Sequence, residues 1–563
     1  MSRTRRRILI VGGYGAFGGR LAVLLADEPR VTLIIAGRSR EKAAAFCASL
    51  AAGAERIAAA FDRDADLDPQ LRTLAPDVVV DATGPFQSYG EAPYRLVEAC
   101  VALGVDYLDF ADGADFVKGI GRFDAAARRR DIFVLSGVSS FPGLTAAAVS
   151  ALARDLARVD VITAGVAPLP YASVGLNVIR AIAGYAGKPV PLIRDGRRTV
   201  GFALTETMRY TIAPPGRLPL HNLRFSLVDV PDLQLLPEIW PQLRAIWVGA
   251  GPVPELLHRA LNGCAWLVRL HLLPSLAPFA KFFYAVAEVL RWGENRGGMF
   301  VAIAGTSRDG TPVERSWHLV AEGEDGPFVP SMAIAAIVRR GLDGRWPAAG
   351  ARAATAELEL ADYAPIFARR AIFTGFRQKQ LDPAATSLYE RLLGDAWPLL
   401  PAALRAMHGV TAALRADGVA TVERGTGLLS RLLGVLFGFP RAGTDVPVSV
   451  DFTVQHEAEI WRRDFAGRAF SSRQFEGAGR WSGLLAERFG PFTVGLALVV
   501  DHDTLRLVVR RFGVFSLPLP LALAPHGKFH ESARDGRFHF YVEMRHRFTG
   551  LIVRYRGWLV PRR

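Results

Sequence analysis

Arg7-Ile8-Leu9-Ile10-Val11-Gly12-Gly13-Tyr14-Gly15-Ala16-Phe17-Gly18-Gly19-Arg20 reads as a buried strand running into a glycine-rich turn and then a helix. Gly13, Gly15 and Gly18 fit G-x-G-x-x-G. That spacing meets three physical demands: a tight turn without a Cβ, bare backbone where a pyrophosphate approaches, and close packing of helix on strand. The anion is then held by free N–H groups at the positive end of the helix. An apolar strand before the turn and the helical run Leu21 to Leu25 after it supply the required context.

The next elements extend the same pattern. Val31 to Gly37 is a β-branched run of the length of a buried parallel strand, and it ends in Arg38-Ser39-Arg40. An acidic residue at this point selects the free ribose 2′-hydroxyl, whereas Arg accommodates a 2′-phosphate. Arg38 therefore favours NADP, with NAD as the other cofactor the fold accepts. Glu41 to Ala54 reads as a helix and Arg56 to Phe61 as a third strand. Asp62 follows, as a contact for the adenine edge or as a turn residue. Asp77 to Ala82 is a fourth strand, and Thr83 and Gly84 follow it where the crevice beyond the strand ends should hold the nicotinamide ribose. The expected cofactor contacts are thus Gly13, Gly15, Ala16, Phe17, Gly18, Arg38, Ser39, Asp62, Thr83 and Gly84.

Glu91 to Leu103 and Asp115 to Arg130 read as helices, Asp106 to Phe110 and Ile132 to Ser136 as strands. The alternation implies an α/β fold, a doubly wound parallel sheet with right-handed crossovers. Val11 to Gly18, Ala36-Gly37-Arg38-Ser39, Asp77 to Phe86 and Gly137-Val138-Ser139-Ser140-Phe141-Pro142-Gly143 occur in that order over about 140 residues. Together they resemble the NAD(P)-binding part of saccharopine-dehydrogenase-like oxidoreductases. The resemblance implies a Rossmann domain interrupted by an α+β substrate domain, and hydride transfer involving NAD(P). Saccharopine reductases carry Asp-Pro-Gly where this chain has Phe141-Pro142-Gly143. The resemblance is closer to the trans-acting enoyl reductase branch, which implies a lipid-like substrate in place of an amino acid.

With 563 residues, 50% of them hydrophobic and 22% charged, the chain can bury several cores. The expected division is 1–150 dinucleotide binding, 151–330 substrate domain, 331–375 a segment returning to the first domain, and 380–563 a β-rich domain. Gly298 to Thr306 and Val313 to Glu322 read as a hairpin about Asp309-Gly310. Beyond residue 380 the period-two runs Val448 to Gln455, Ala458 to Phe465, Arg468 to Phe475, Phe492 to Val500, Leu505 to Arg511, Phe538 to Arg545 and Leu551 to Tyr555 imply a mainly antiparallel curved sheet or barrel. Glu459 to Arg463, Glu487 to Pro491 and Tyr555 to Leu559 resemble a family of unknown function often fused behind such oxidoreductase domains.

A formal charge of +14 suits acidic or phosphorylated ligands. It brings no helix-turn-helix, zinc-finger or stacking-aromatic signature, so no nucleic-acid partner is expected. Cys47, Cys100 and Cys264 lie far apart, which suits a reducing cytoplasm, and no signal peptide is legible at the N-terminus. Residues 264–292 are strongly apolar, but Arg269, His271, Lys281 and Glu288 interrupt them and Pro274 and Pro278 break any spanning helix. They read as buried or surface-docking helices, with peripheral membrane contact as one use. A homodimer is among the assemblies expected. No metal site is expected: His526, His530, His539 and His546 with Glu531 fall on loops and strands, and not on one helix face.

Catalytic residues are not determined at this level. Tyr89, Glu91 and Asp112 follow strands four and five and are the nearest candidates to a nicotinamide. None of the twelve tyrosines has Lys four residues on, which sets aside short-chain dehydrogenase chemistry. The leading expectation is an NADP-dependent oxidoreductase acting on a hydrophobic, lipid-linked carbonyl or enoyl substrate. The alternative is a non-catalytic NAD(P)-binding sensor or membrane-associated scaffold with a C-terminal lipid-binding module.

Overall fold

The computed structural model describes residues 5–172, 175–379, 386–515 and 517–562. The expected start of the last domain, at 380, lies outside the described residues. The chain divides into two compact units, Met1–Arg209 with Arg224–Phe373, and Tyr210–Leu223 with Thr374–Arg563.

The first unit opens with strand β1 (Arg6–Val11), helix α1 (Ala16–Leu25), β2 (Val31–Gly37), helix α2 (Arg40–Ser49), β3 (Glu55–Ala60), β4 (Val78–Asp81), β5 (Asp106–Asp109) and β6 (Phe133–Ser136). Every residue of β2, β4, β5 and β6 is buried. Continuous apolar runs of this kind need cover on both faces, and parallel pairing with helices on each side provides it. A further strand, Gly350–Ala353, pairs parallel with β6. The sheet order is Gly350–Ala353, β6, β5, β4, β1, β2, β3. Chain direction through the sheet reverses beside β1, between β2 and β4, and a crevice opens there beyond the strand ends.

One local expectation changes, and one strand carries no sequence pattern. Asp115 to Arg130 is not one helix: Ala114–Gly119 and Asp124–Arg129 are separated by the 3-10 turn Ile120–Phe123. Gly119 and Gly121 remove helix propensity in mid-run. Gly350–Ala353 lies in a Pro, Ala and Gly-rich stretch that carries no strand pattern. Tertiary fit makes it a strand: Gly350 has φ 130°, and a Cβ there would stand 2.5 Å from the Asp124 carboxylate.

A seven-stranded mixed sheet has as its inner strands β7 (Leu156–Ala167), β8 (Leu220–Leu227), β9 (Ala245–Ala250), β10 (Arg296–Ser307) and β11 (Pro312–Glu322), in the order β8-β9-β7-β10-β11, with Thr207–Ile212 beside β8 and Ile372–Gln378 beside β11. The β10–β11 hairpin turns at Gly310 with φ 89°, and Asp309 accepts the Thr311 amide at 3.1 Å. The helix Val329–Leu342 returns to α1, where the Ser331 hydroxyl donates to the Phe17 carbonyl at 3.0 Å.

The second unit is a closed up-and-down barrel of ten strands: Ala413–Arg424, Gly443–Gln455, Ala458–Phe465, Arg468–Glu476, Leu485–Phe489, Phe492–Asp501, Thr504–Val514, Phe529–Arg534, Arg537–His546 and Gly550–Pro561. Each pairs antiparallel with the next, and the last pairs with the first. Closure removes the exposed edges that a meander would otherwise carry. Two barrel strands, Leu485–Phe489 and Phe529–Arg534, carry a buried carboxylate, Glu487 and Glu531, and the inward positions of Ala413–Arg424 include the small Ala416 and Ala420, so the period-two signal of all three is weak.

Candidate cofactor site and its surroundings

The glycine turn is shaped by close backbone contacts. Gly12 has φ 80°, and a Cβ there would lie 2.9 Å from the Ala82 carbonyl oxygen at the end of β4. A Cβ on Gly13 would lie 2.8 Å from the Ile10 carbonyl, and one on Gly18 would lie 2.4 Å from that of Gly12. Gly12 and Gly13 both donate to the Ala36 carbonyl at 2.9 Å, tying the turn to β2. Gly15 is the N-cap of α1 and brings no side chain to it, and Gly15 and Ala16 are exposed. The helix therefore presents its N-terminal amides outward without a capping group, as pyrophosphate binding requires.

At the end of β2, Arg38 is exposed. The Ser39 hydroxyl is already engaged: it accepts from the Lys42 amide at 3.2 Å as N-cap of α2 and donates to Glu41 at 2.8 Å. Its backbone N–H donates to the Tyr14 hydroxyl at 3.2 Å. The bond from Ser39 ties down Glu41, the nearest carboxylate in sequence, and Arg38 and Arg40 are both exposed there. Asp62 forms a local turn, with Oδ1 accepting from the Asp64 amide at 3.0 Å and its own amide donating to Gln70 at 2.9 Å. The turn role open to Asp62 in the sequence is thus the one its hydrogen bonds fill.

Thr83 and Gly84 stand at the end of β4 as the strand pattern implies. The Thr83 hydroxyl donates to Asp81 at 2.6 Å and lies 2.7 Å from the Tyr89 hydroxyl. Arg63 stacks 3.3 Å above the Tyr89 ring and stands 3.6 Å from Asp81. Tyr89 is thereby built into a buried support for the strand end, and Glu91 is exposed. Burial raises the Asp81 carboxyl against the opposing pull of Arg63 and Thr83.

The mixed sheet contributes the other wall. The helix Leu176–Tyr185 begins at Gly175, where a Cβ would lie 3.8 Å from the Ala16 Cβ, and Asn177 donates to the Gly84 carbonyl at 2.9 Å. Tyr185 ends that helix. Burial, with the charges of Asp112 and Asp229, holds its hydroxyl protonated well above the ordinary tyrosine range. Asp112 accepts from Gln87 at 3.0 Å, and burial pushes both Asp112 and Asp229 up. Asp112 was legible from its place after β5. Asn177, Tyr185 and Asp229 were not, because nothing local marks a residue that a second sheet carries over the crevice.

Residues 8–130 match the family described as the saccharopine dehydrogenase NADP binding domain. Residues 8–130 are thus an NADP-binding domain of the oxidoreductase type. The glycine cradle, which has no room for a Cβ, and the outward Arg38 are what a dinucleotide with a 2′-phosphate needs. Residues 400–559 of the barrel unit match a domain family of unknown function. No curated protein matches the chain. Among solved structures, the chain is similar to apo saccharopine dehydrogenase (L-Glu forming) from Saccharomyces cerevisiae, at 14% identity and TM-score 0.48, covering 67% of this chain and 100% of that one. It is also similar to a mutant meso-dapdh from Clostridium tetani, at 15% identity and TM-score 0.31, covering 64% and 97%. A third similar structure is the WlbA dehydrogenase from Thermus thermophilus, at 14% identity and TM-score 0.27, covering 65% and 93%.

In the barrel the histidines find separate partners. His530 stacks on Tyr541, His526 bridges to Arg545, and the described residues bring no three His, Cys, Asp or Glu side chains into a metal-binding group. Glu531 instead pairs with buried His408 at 2.6 Å.

Proposed function

We propose that the NADP-binding unit transfers a hydride between the nicotinamide and a carbonyl or enoyl carbon of a hydrophobic, lipid-borne substrate. One observation carries the hydrophobic part. The helix Glu255–Arg269 buries His258 and Asn262 with Ala265 and Val268, and it exposes Leu256, Trp266 and Leu267. His258 meets Ser226 at 2.7 Å and Asn262 donates to the Leu204 carbonyl at 2.7 Å, while Leu256, Trp266 and Leu267 face solvent. The following helix, Ala280–Val289, adds Phe282 at 63% exposure and Val289 at 78%. Exposed apolar side chains grouped in this way suit an apolar surface from which the substrate is drawn. No helix among the described residues is long and apolar enough to cross a membrane, and contact at the interface is the mode this face supports.

The bound nicotinamide supplies or accepts the hydride. The chain's own share is orientation and a proton. Tyr185, on the helix whose Asn177 reaches the Gly84 carbonyl, is the hydroxyl we assign to orient and protonate the acceptor in reduction, and Gln87 fixes Asp112. The test is stereospecific label transfer from ring-deuterated NADPH to long-chain enals and ketones presented in mixed micelles. Transfer that Tyr185→Phe slows at least about tenfold supports the reading. NADPH binding with no transfer across the panel overturns it in favour of a cofactor sensor.

A further inference from the structure

The two ends of the barrel differ in charge. Successive antiparallel strands place their connections alternately at one end and the other, and those at one end are residues 425–442, 466–467, 490–491, 515–528 and 547–549. They contain Arg431, Arg441, Lys528 and Arg547 and no Asp or Glu. The connections at the opposite end, 456–457, 477–484, 502–503 and 535–536, contain Glu457, Asp503 and Asp535 against the single arginine Arg480. All four cations of the first end are exposed, and among the described residues none is ion-paired.

The same end carries the most exposed large apolar side chains of the barrel. Leu428, Leu432, Val435, Phe515, Leu517 and Phe548 are each at least 62% exposed. Three of them share one face of the helix Leu428–Leu436, at i, i+4 and i+7. Its other face is pinned to the barrel. The Ser430 hydroxyl donates to the Leu551 carbonyl at 2.8 Å, Leu433 packs against the barrel core, and a Cβ on Gly434 would run into the Arg424 guanidinium. That guanidinium is itself held by the Phe439 and Pro440 carbonyls, both at 3.2 Å. The helix cannot turn its leucines inward without breaking these contacts. Its start lies beside the turn of Phe548, since a Cβ on Gly427 would stand 3.9 Å from the Thr549 carbonyl. In that turn Arg547 lies 4.8 Å above the Phe548 ring.

We propose that this end of the barrel docks on an anionic lipid bilayer. The helix Leu428–Leu436 lies in the interface with its outer face in the acyl boundary, Phe515 and Phe548 insert beside it, and the four cations stand at the level of the phosphates. Charge complementarity selects this occupant: apolar tips among cations with no carboxylate match a surface that is apolar beneath and negative above. A second copy of the chain fits poorly, because two-fold pairing through this end would set the same cations against each other. The proposal concerns the barrel alone and rests neither on hydride transfer nor on the apolar face of the helix Glu255–Arg269.

The test is co-sedimentation of the full-length chain with phosphatidylcholine vesicles, with and without phosphatidylserine. We expect binding at least about tenfold tighter with phosphatidylserine present. L428D/L432D should weaken that binding at least about tenfold. R431E/R547E should remove most of the preference for phosphatidylserine, and circular dichroism should stay unchanged in both variants. Leu432→Trp reads insertion directly, because brominated phosphatidylcholine in the vesicles should quench its emission beyond that of the parent chain. Phe282→Asp, in the other unit, separates the two apolar faces: binding lost in Phe282→Asp but kept in L428D/L432D overturns this proposal and leaves the reading of the other face standing. Equal binding to both kinds of vesicle, no added quenching in the Leu432→Trp variant, or self-association that L428D/L432D abolishes would also overturn it.

Discussion

Gly37 and Tyr14 fit together so closely that a Cβ on Gly37 would lie 2.6 Å from the Tyr14 ring and hydroxyl. The ring lies over the end of β2, and its hydroxyl accepts the Ser39 amide at 3.2 Å. The glycine turn and the 2′-phosphate end of the site are thus joined through one aromatic side chain. Gly37→Ala should displace Tyr14 and weaken NADPH binding about tenfold, or about 1.4 kcal/mol. Tyr14→Phe keeps the ring, loses only the hydroxyl, and should cost less. Calorimetric titration of both variants checks the order.

A methyl group at Gly18 would stand 2.4 Å from the Gly12 carbonyl, which is fixed backbone with no flexible side chain to yield. Gly18→Ala should therefore abolish measurable NADPH binding and lower the melting temperature of the first unit. Differential scanning calorimetry should show the barrel transition unmoved.

Burial raises the Asp109 carboxyl to about 7 from an ordinary 3.8, against bonds from the Gly137 and Ala111 amides and Ser136, and its Oδ2 has no hydrogen-bond partner. Asp106 is raised in the same sense, to about 6. A carboxyl raised in the folded state binds its proton more tightly there than in the unfolded chain. Its contribution to stability is full below about pH 4 and is lost as the pH rises to about 7. Asp109→Asn keeps an acceptor for the two amides and removes the titration. Its stability should fall less than that of the parent between about pH 5 and pH 8, as read by denaturant titration at each pH.

In the barrel, His408 is fully buried, stacks on Tyr389 with ring centroids 3.9 Å apart, and meets Glu531 at 2.6 Å. His408→Ala would strand Glu531 and open a hole among the rings. Breaking a buried pair in this way costs about 3 to 5 kcal/mol. The barrel transition should fall accordingly, and the NADPH affinity of the first unit should stay as it was.

Legibility in the sequence followed the range of the forces involved. The parallel sheet was readable because Val31 to Gly37 and Val78 to Asp81 are continuous apolar runs and the glycine turn has fixed spacing. Gly350–Ala353 was not, because its place depends on fit beside β6 and leaves no periodic trace. Arg38 stands exposed at the end of β2, where the strand pattern puts it, and the Ser39 hydroxyl caps α2. Tyr185 and Asn177 reach the crevice only through the fold of the mixed sheet. The buried pair in the barrel was hidden for a related reason: Glu531 finds its partner in His408, 123 residues away, and no local spacing records such a meeting.

The central claim is that the first unit holds NADP through Arg38, and paired dissociation constants test it most directly. NADPH and NADH are titrated into the parent chain and into Arg38→Asp. The structure predicts that the parent prefers NADPH and that the substitution weakens NADPH at least about tenfold more than NADH. Equal loss of both cofactors, or no loss of either, would contradict it.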